Sequence, residues 1–176
     1  TLRTSGHDMV HKIEVVLPEH PEYRVRYRRR FVEKSLENQV HDRVITGLMF
    51  PIDENPMNIQ CHIGDPAPAG EERWTVPFEV SFPIPSVALM PEGDDYVGRV
   101  TLFLAVHETR GRKSDVIRQE HEVRIPSASY DDALRKDYTI SATLLMEEGD
   151  YRVAVAMLDR LTRQASYQTL NTAVGR

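Results

Sequence analysis

The stretch Glu147–Ser166, EEGDYRVAVAMLDRLTRQAS, ends an alternating apolar run on a carboxylate, Asp159, beside Arg160 and Arg163. A carboxylate at a strand end can serve as a general base, ligate a cation, or accept hydrogen bonds from the amides of a following turn. Tyr151, Val153, Val155, Met157 and Asp159 fall on one face of a strand. Four of them are core residues, and the acid arrives as the strand leaves its sheet. That placement favours a turn-forming carboxylate over a chemical one, and on it Asp159→Asn should be silent. Tyr151 follows a Gly-Asp turn, where sandwich domains place a tyrosine whose hydroxyl bonds back to upstream backbone. Tyr151 and Asp159 are therefore read as structural corner and turn residues.

Other reactive side chains are less suggestive. Glu92, Asp94 and Asp95, or Glu147, Glu148 and Asp150, could offer oxygens to calcium, but neither cluster has the regular alternation of a calcium loop. Cys61 and His62 are adjacent, so in a strand they face opposite ways and cannot chelate one metal together. Cys61 falls in the apolar register of its strand, and His121 on an inward face reads as a core histidine. The chain has no G-x-S-x-G elbow and no glycine-rich strand-to-helix loop. No catalytic, cofactor-binding or metal-ligating residue is expected.

The sharpest charge feature is RVRYRRRF. Arg24, Arg26 and Arg28 alternate with Val25 and Tyr27, and Arg29 and Arg30 follow. Such a run can meet an anionic partner, with tyrosine as a stacking surface. It can equally form the solvated face of a strand, paired against Glu14, Glu19 and Glu22. The net charge of −5 favours the second reading and argues against general nucleic-acid binding.

These residues need elements to hold them. In 176 residues, 40% hydrophobic and 28% charged, eleven prolines and nine glycines punctuate runs of period two. RWTVPFEVSFPIP sets Trp74, Val76, Phe78, Val80, Phe82 and Ile84 on one face. Pro77 and Pro83 suggest an edge strand or one that bends. MNIQCHI groups Met57, Ile59, Cys61 and Ile63. GRVTLFLAVHE is apolar on both faces and should be central, with TRGRK turning around Gly111. SDVIRQEHEVRIP turns Ile117, His121, Val123 and Ile125 inward, with Arg118, Glu120, Glu122 and Arg124 outward. DYTISATLLM, the opening stretch and a weaker strand near Ser166 to Val174 complete seven strands, the number of an immunoglobulin-like sandwich. The turns MPEGDDY and MEEGDY look alike and suggest shared turn chemistry.

The first fifty residues differ. VHKIEVVL and YRVRYR read as a hairpin around PEHPE. SLENQVHDRVITGL then places Leu36, Val40, Val44 and Leu48 at helical spacing, with Ser35 as N-cap and Gly47 as stop. A second short helix is expected at SYDDALRKD. The chain is thus read as mainly β: a hairpin over residues 1–34, a helical connector over 35–50, and an immunoglobulin-like, fibronectin III-like sandwich over 51–176.

Three stretches carry a resemblance. HDMVHKIEVVLPEHPEYRVRYRRRF resembles the segment that closes the von Willebrand factor type A-like region of many secreted bacterial proteins, where an H-K-I-E-V strand precedes a V-R-x-R strand and an aromatic residue. VPFEVSFPIPSVALMPEGDDYVGRVTLFLAVHETRGRKSDV and EGDYRVAVAMLDRLTRQAS resemble the β-rich region that follows. Arg30 stands where the family usually has glycine. The family's Asp-x-Ser-x-Ser metal motif lies upstream and is not in this chain, so no metal residue carries over. The resemblance implies a non-catalytic β-sandwich in an extracytoplasmic adhesion or scaffold protein, with a protein partner. A small-molecule or carbohydrate-binding module using loops at one end is the alternative.

Three further expectations concern context. The chain opens on TLRTSG and reads as a piece of a longer protein, so the lack of a secretory signal says little about compartment. No apolar run approaches the roughly 20 residues that span a bilayer, so no membrane insertion is expected. Ile13, Val15 and Leu17 should lie on an unpaired hairpin edge open to self-association.

Overall fold

The computed structural model describes residues 7–20, 23–109, 111 and 113–175. The chain divides into two units, Thr1–Gln39 and Val40–Arg176. The division falls inside the helix that sequence periodicity predicts.

In the first unit, β1 (Met9–Lys12) pairs antiparallel with β2 (Arg30–Glu33), Met9 opposite Glu33 and Lys12 opposite Arg30. One further bond, Ile13 N–H to the Arg29 carbonyl at 2.9 Å, extends the ladder. The hairpin expected from VHKIEVVL and YRVRYR is therefore regular only at its base. Pro21 and Glu22 of its turn lie outside the described residues. Helix α1 (Leu36–Gly47) begins where the sequence places it. The Ser35 hydroxyl accepts from Asn38 N–H at 3.2 Å, and one Asp8 oxygen accepts from Ser35 N–H and from the Asn38 amide at 2.8 and 2.7 Å. Two side chains thus satisfy amides that a helix start leaves open.

The second unit is β-rich. In chain order it contains β3 (Gln60–Ile63), β4 (Ala67–Pro68), β5 (Arg73–Pro83), β6 (Met90–Glu92), β7 (Asp95–Glu108), β8 (Ile117–Pro126), the single helical turn α2 (Tyr130–Ala133), β9 (Asp137–Glu147), β10 (Gly149–Asp159) and β11 (Ala165–Val174). One sheet is antiparallel and central on β5, which pairs with β9 along one side and with β3 and β4 along the other. The second runs β8-β7-β10-β11, with β6 a short strand against β7. The seven expected strands are present, and β4 and β6 are added to them.

Pro77 lies in a central strand, not at the edge that its missing N–H suggests. Its carbonyl accepts from Gly64 N–H at 2.8 Å, past the end of β3 and before β4 begins. A strand residue points N–H and C=O to the same side, so the missing donor faces the break between two short strands and no ladder bond is lost.

The faces behave as alternation dictates. Phe78, Val80 and Phe82 of β5 are buried against Val100, Leu102 and Leu104 of β7, Ile140 of β9, and Val153, Val155 and Met157 of β10, while Val76 is buried with Met146 and Val174. The two sheets therefore share one apolar core. β7 is central and buried on both faces, as its uninterrupted apolar run requires: Phe103 and Ala105, pointing away from that core, are also buried. Within this unit Val40, Val44 and Leu48 are buried, and Gly47 approaches Ala154 and Thr169 on β10 and β11. Ile117 departs from expectation. It opens β8 opposite Leu104 and remains 49% exposed, lining a cleft with Ile140 and Leu144 of the facing sheet.

The two similar turns have different jobs. Gly93, with φ of 64°, closes the tight β6–β7 hairpin in which Glu92 faces Asp95. Glu148, by contrast, joins β9 to β10, which belong to different sheets. Likeness of sequence here does not mean a shared turn. The TRGRK turn has Gly111 N–H bonded to the Glu108 carbonyl at 3.0 Å; Arg110 and Arg112 lie outside the described residues.

Candidate functional site

Asp159 ends β10 with no solvent exposure. One oxygen accepts from the amides of Leu161 and Thr162, at 2.8 and 3.2 Å; the other accepts from Ala88 N–H at 2.8 Å, 71 residues away in sequence. Its own backbone closes the same turn, N–H to Gln164 and carbonyl from Arg163 N–H, both at 2.9 Å. Arg163 is held there at φ of 64°, a conformation that costs a non-glycine residue energy. The carboxylate thus joins the β10–β11 turn to the segment before β6. That segment lies tightly over Gly98, where an added Cβ would come within 2.9 Å of Leu89 and 3.2 Å of the Ala88 carbonyl. A carboxylate whose oxygens are spent on three amides is a fastener. An asparagine offers only one accepting oxygen, so the structure predicts that Asp159→Asn is not silent.

Ser166 plays a similar part. It is buried, and its hydroxyl accepts from Met57 N–H at 2.8 Å. Arg152 donates to the Leu48 and Met49 carbonyls at 3.3 and 3.2 Å, tying the end of α1 to β10. Sequence reading missed both residues, since neither partner is near in the chain.

Tyr151 is half-buried, and its hydroxyl donates to the Glu147 carbonyl at 3.1 Å, four residues upstream. Burial, together with nearby Glu108 and Glu147, raises the phenol above its ordinary range. Because the accepting carbonyl is near solvent, Tyr151→Phe should lower stability by only about 0.5–1 kcal/mol, read from the urea midpoint. A loss above about 2 kcal/mol would mean the corner is a buried one.

Two acids of the first cluster, and the acids of β8, are engaged with arginines. Glu92 pairs with Arg99 at 2.7 Å and Asp95 with Arg124 at 3.0 Å; Glu122 bonds both arginines, and Glu120 reaches Arg118 and Arg160. Exposed pairs of this kind are worth little individually, but they explain the alternating charges of β8. Among the described residues no group of three acids, histidines or cysteines is arranged to hold a metal. Burial pushes the Cys61 thiol up to about 12, which suppresses the nucleophilic thiolate. Burial also pushes His121 down, holding it neutral, and its Nε2 has no hydrogen-bond partner among the described residues.

Arg24, Arg26, Arg28, Arg29 and Arg30 are all exposed. The expected pairing with Glu14 and Glu19 does not form, and Glu22 lies outside the described residues. The ladder ends at the Ile13–Arg29 bond, short of Glu14 and Glu19, so no strand pairing sets these acids opposite the arginines. Around them the hairpin is unusually apolar at its surface. Ten of the sixteen exposed large apolar side chains among the described residues lie between Met9 and Val32.

Two hollows mark the β-rich unit. A groove of about 400 Å³ runs between β7 and the edge strand β9, floored by Leu104, Val106, Leu144 and Met146 with Tyr151 at one end. It adjoins a cleft of only about 120 Å³ between the sheets, a packing gap rather than a ligand chamber. A second hollow sets Trp74 among Glu71, Glu72, Glu147 and Glu148.

No family model matches the chain, and no curated protein matches it. Among solved structures, the structural-genomics target SoR45 aligns at a TM-score of 0.43 with 9% identity, over 70% of this chain and 91% of that one. A β-glucuronidase of Bacteroides uniformis aligns at 0.40 with 14% identity, and β-glucuronidase 2 of that organism, covalently bound to cyclophellitol-6-carboxylate aziridine, at 0.39 with 15%. Each covers 66% of this chain, which in turn spans 13% of their length. Likeness at this level carries neither fold nor function across. Among the described residues no helix is long and apolar enough to cross a membrane.

Proposed function

We propose that the chain is a non-catalytic protein-interaction or structural module. Its β-rich unit is an immunoglobulin-like, fibronectin III-like sandwich, and it belongs to a larger extracytoplasmic protein of the von Willebrand factor type A class. The observation that carries the interaction role is the concentration of exposed apolar residues and five arginines on one hairpin. A surface of that kind is costly to leave facing water and marks a contact site. The sandwich reading is supported by the order β8-β7-β10-β11 facing a sheet centred on β5, with consecutive strands β9 and β10 changing sheets. The buried polar groups fit the same role, since Asp159 and Ser166 spend their oxygens on backbone amides. Location rests on the resemblance of the hairpin and of the β-rich stretches.

A photo-crosslinking residue at Val15, in the cell that makes the protein, tests the module role. A discrete protein adduct is expected at Val15 and none at Glu79, an exposed position on β5. Equal labelling at both positions, or none at either, would overturn it. A second reading, a small-molecule or carbohydrate-binding module, is favoured only by the groove along β9. Its floor is aliphatic, which suits an apolar ligand better than a sugar.

A further inference from the structure

Both edges of the β1–β2 sheet lack a further strand among the described residues. A lone two-stranded sheet is marginal in water, so a third strand is physically favoured. The two edges are not equal. The Ile13–Arg29 bond makes odd-numbered residues of β1 face β2, so Val10 and Lys12 turn their backbone N–H and C=O groups to the open edge, and Glu14 and Val16 would do the same if the strand continued past Ile13. On the other side the open groups belong to the even-numbered residues of the arginine run. There an antiparallel copy would set Arg28 against Arg28 and Arg26 against Arg30, which is repulsive.

We propose that the segment Met9–Leu17, β1 extended past Ile13 on pairing, pairs antiparallel with the same segment of a second copy of this chain, with the two-fold axis at Ile13. The proposal deepens the interaction-module reading and rests on it. Centred there, Lys12 of each copy exchanges backbone bonds with Glu14 of the other, giving two opposite-charge pairs directly across the seam. Val10 meets Val16, Met9 meets Leu17, and His11 meets Val15. The next allowed registers place Lys12 against Lys12 or Glu14 against Glu14. Charge therefore selects one register, and the apolar residues that are now 37–66% exposed, Ile13 to Val16 among them, come together around it. The contact is isologous and closes after two copies, so it yields dimers and not filaments.

The test is light scattering after size exclusion, over a concentration series, on the full chain and three variants. The native chain and the double variant Lys12→Glu/Glu14→Lys should dimerise alike. Lys12→Glu and Glu14→Lys alone should each weaken the dimer by about 10–30-fold, because two attractive pairs become two repulsive ones. Lys12→Glu separates interface from folding. Lys12 faces Arg30 within the hairpin, so a glutamate there improves the hairpin while breaking the dimer. A native chain that stays monomeric, single variants that dimerise as well as the native chain, or a double variant that fails to recover would each overturn the second-copy assignment. If, in any of those cases, the Val15 cross-link captures a different protein, the module reading stands and only the identity of the partner falls.

Discussion

Asp159→Ala is expected to destabilise the β-rich unit by about 3–5 kcal/mol, enough to consume much of the stability of an ordinary domain. The substitution removes an acceptor for the amides of Ala88, Leu161 and Thr162 at once, in a site without solvent exposure. Each amide left unsatisfied costs about 1–3 kcal/mol, and hydrogen bonds to a charged acceptor are the stronger kind. Asp159→Asn should cost about 1–3 kcal/mol. Its oxygen can serve either the turn or Ala88, while its amide nitrogen would point a donor at a donor. Urea unfolding of the two variants decides the matter. If alanine costs less than about 1 kcal/mol, water replaces the carboxylate and the fastening role is wrong. If asparagine equals wild type, the second oxygen contributes nothing.

Phe82→Ala should cost about 3–5 kcal/mol, and Trp74→Ala distinctly less, although the two lie on the same face of β5. Phe82 is 1% exposed, packed in the core shared by both sheets and tilted against Tyr138 with ring centroids 5.7 Å apart. Removing its ring leaves a cavity that neighbours on two sheets cannot close. Trp74 stands at the other end of the strand, half-buried against Val76, Met146 and Val174. Water can fill part of the space its indole leaves. Paired denaturation curves give the ranking, and Trp74→Ala costing as much as Phe82→Ala would show that the core extends to the Trp74 end.

Much of the architecture was legible because it rests on local periodicity. Alternation marked the inward faces of β5, β8 and β10, the unbroken apolar run of β7 marked a central strand, and Ser35 and Gly47 bounded α1. Where reading failed, a partner distant in sequence decided the outcome. Pro77 sits in a central strand because β3 and β4 break beside it. Ile117 is exposed because it lines an open cleft toward β9 rather than packing closed against it. The arginine run stays free of Glu14 and Glu19 because its ladder closes only at the hairpin base.

The sequence by itself determined a mainly β chain with one long helix, the identity of most core residues, and the absence from its motifs of a familiar catalytic signature. Period and turn chemistry act within a few residues, so they can be read along the chain. Tertiary structure alone decided what Asp159 does, since one of its three donors comes from 71 residues away. It likewise decided which residues turn their backbone groups to the hairpin's open edges, because that depends on which groups point inward once Ile13 has bonded Arg29. Hydrogen-bond partners across a fold are set by how sheets meet, and no local pattern encodes that meeting.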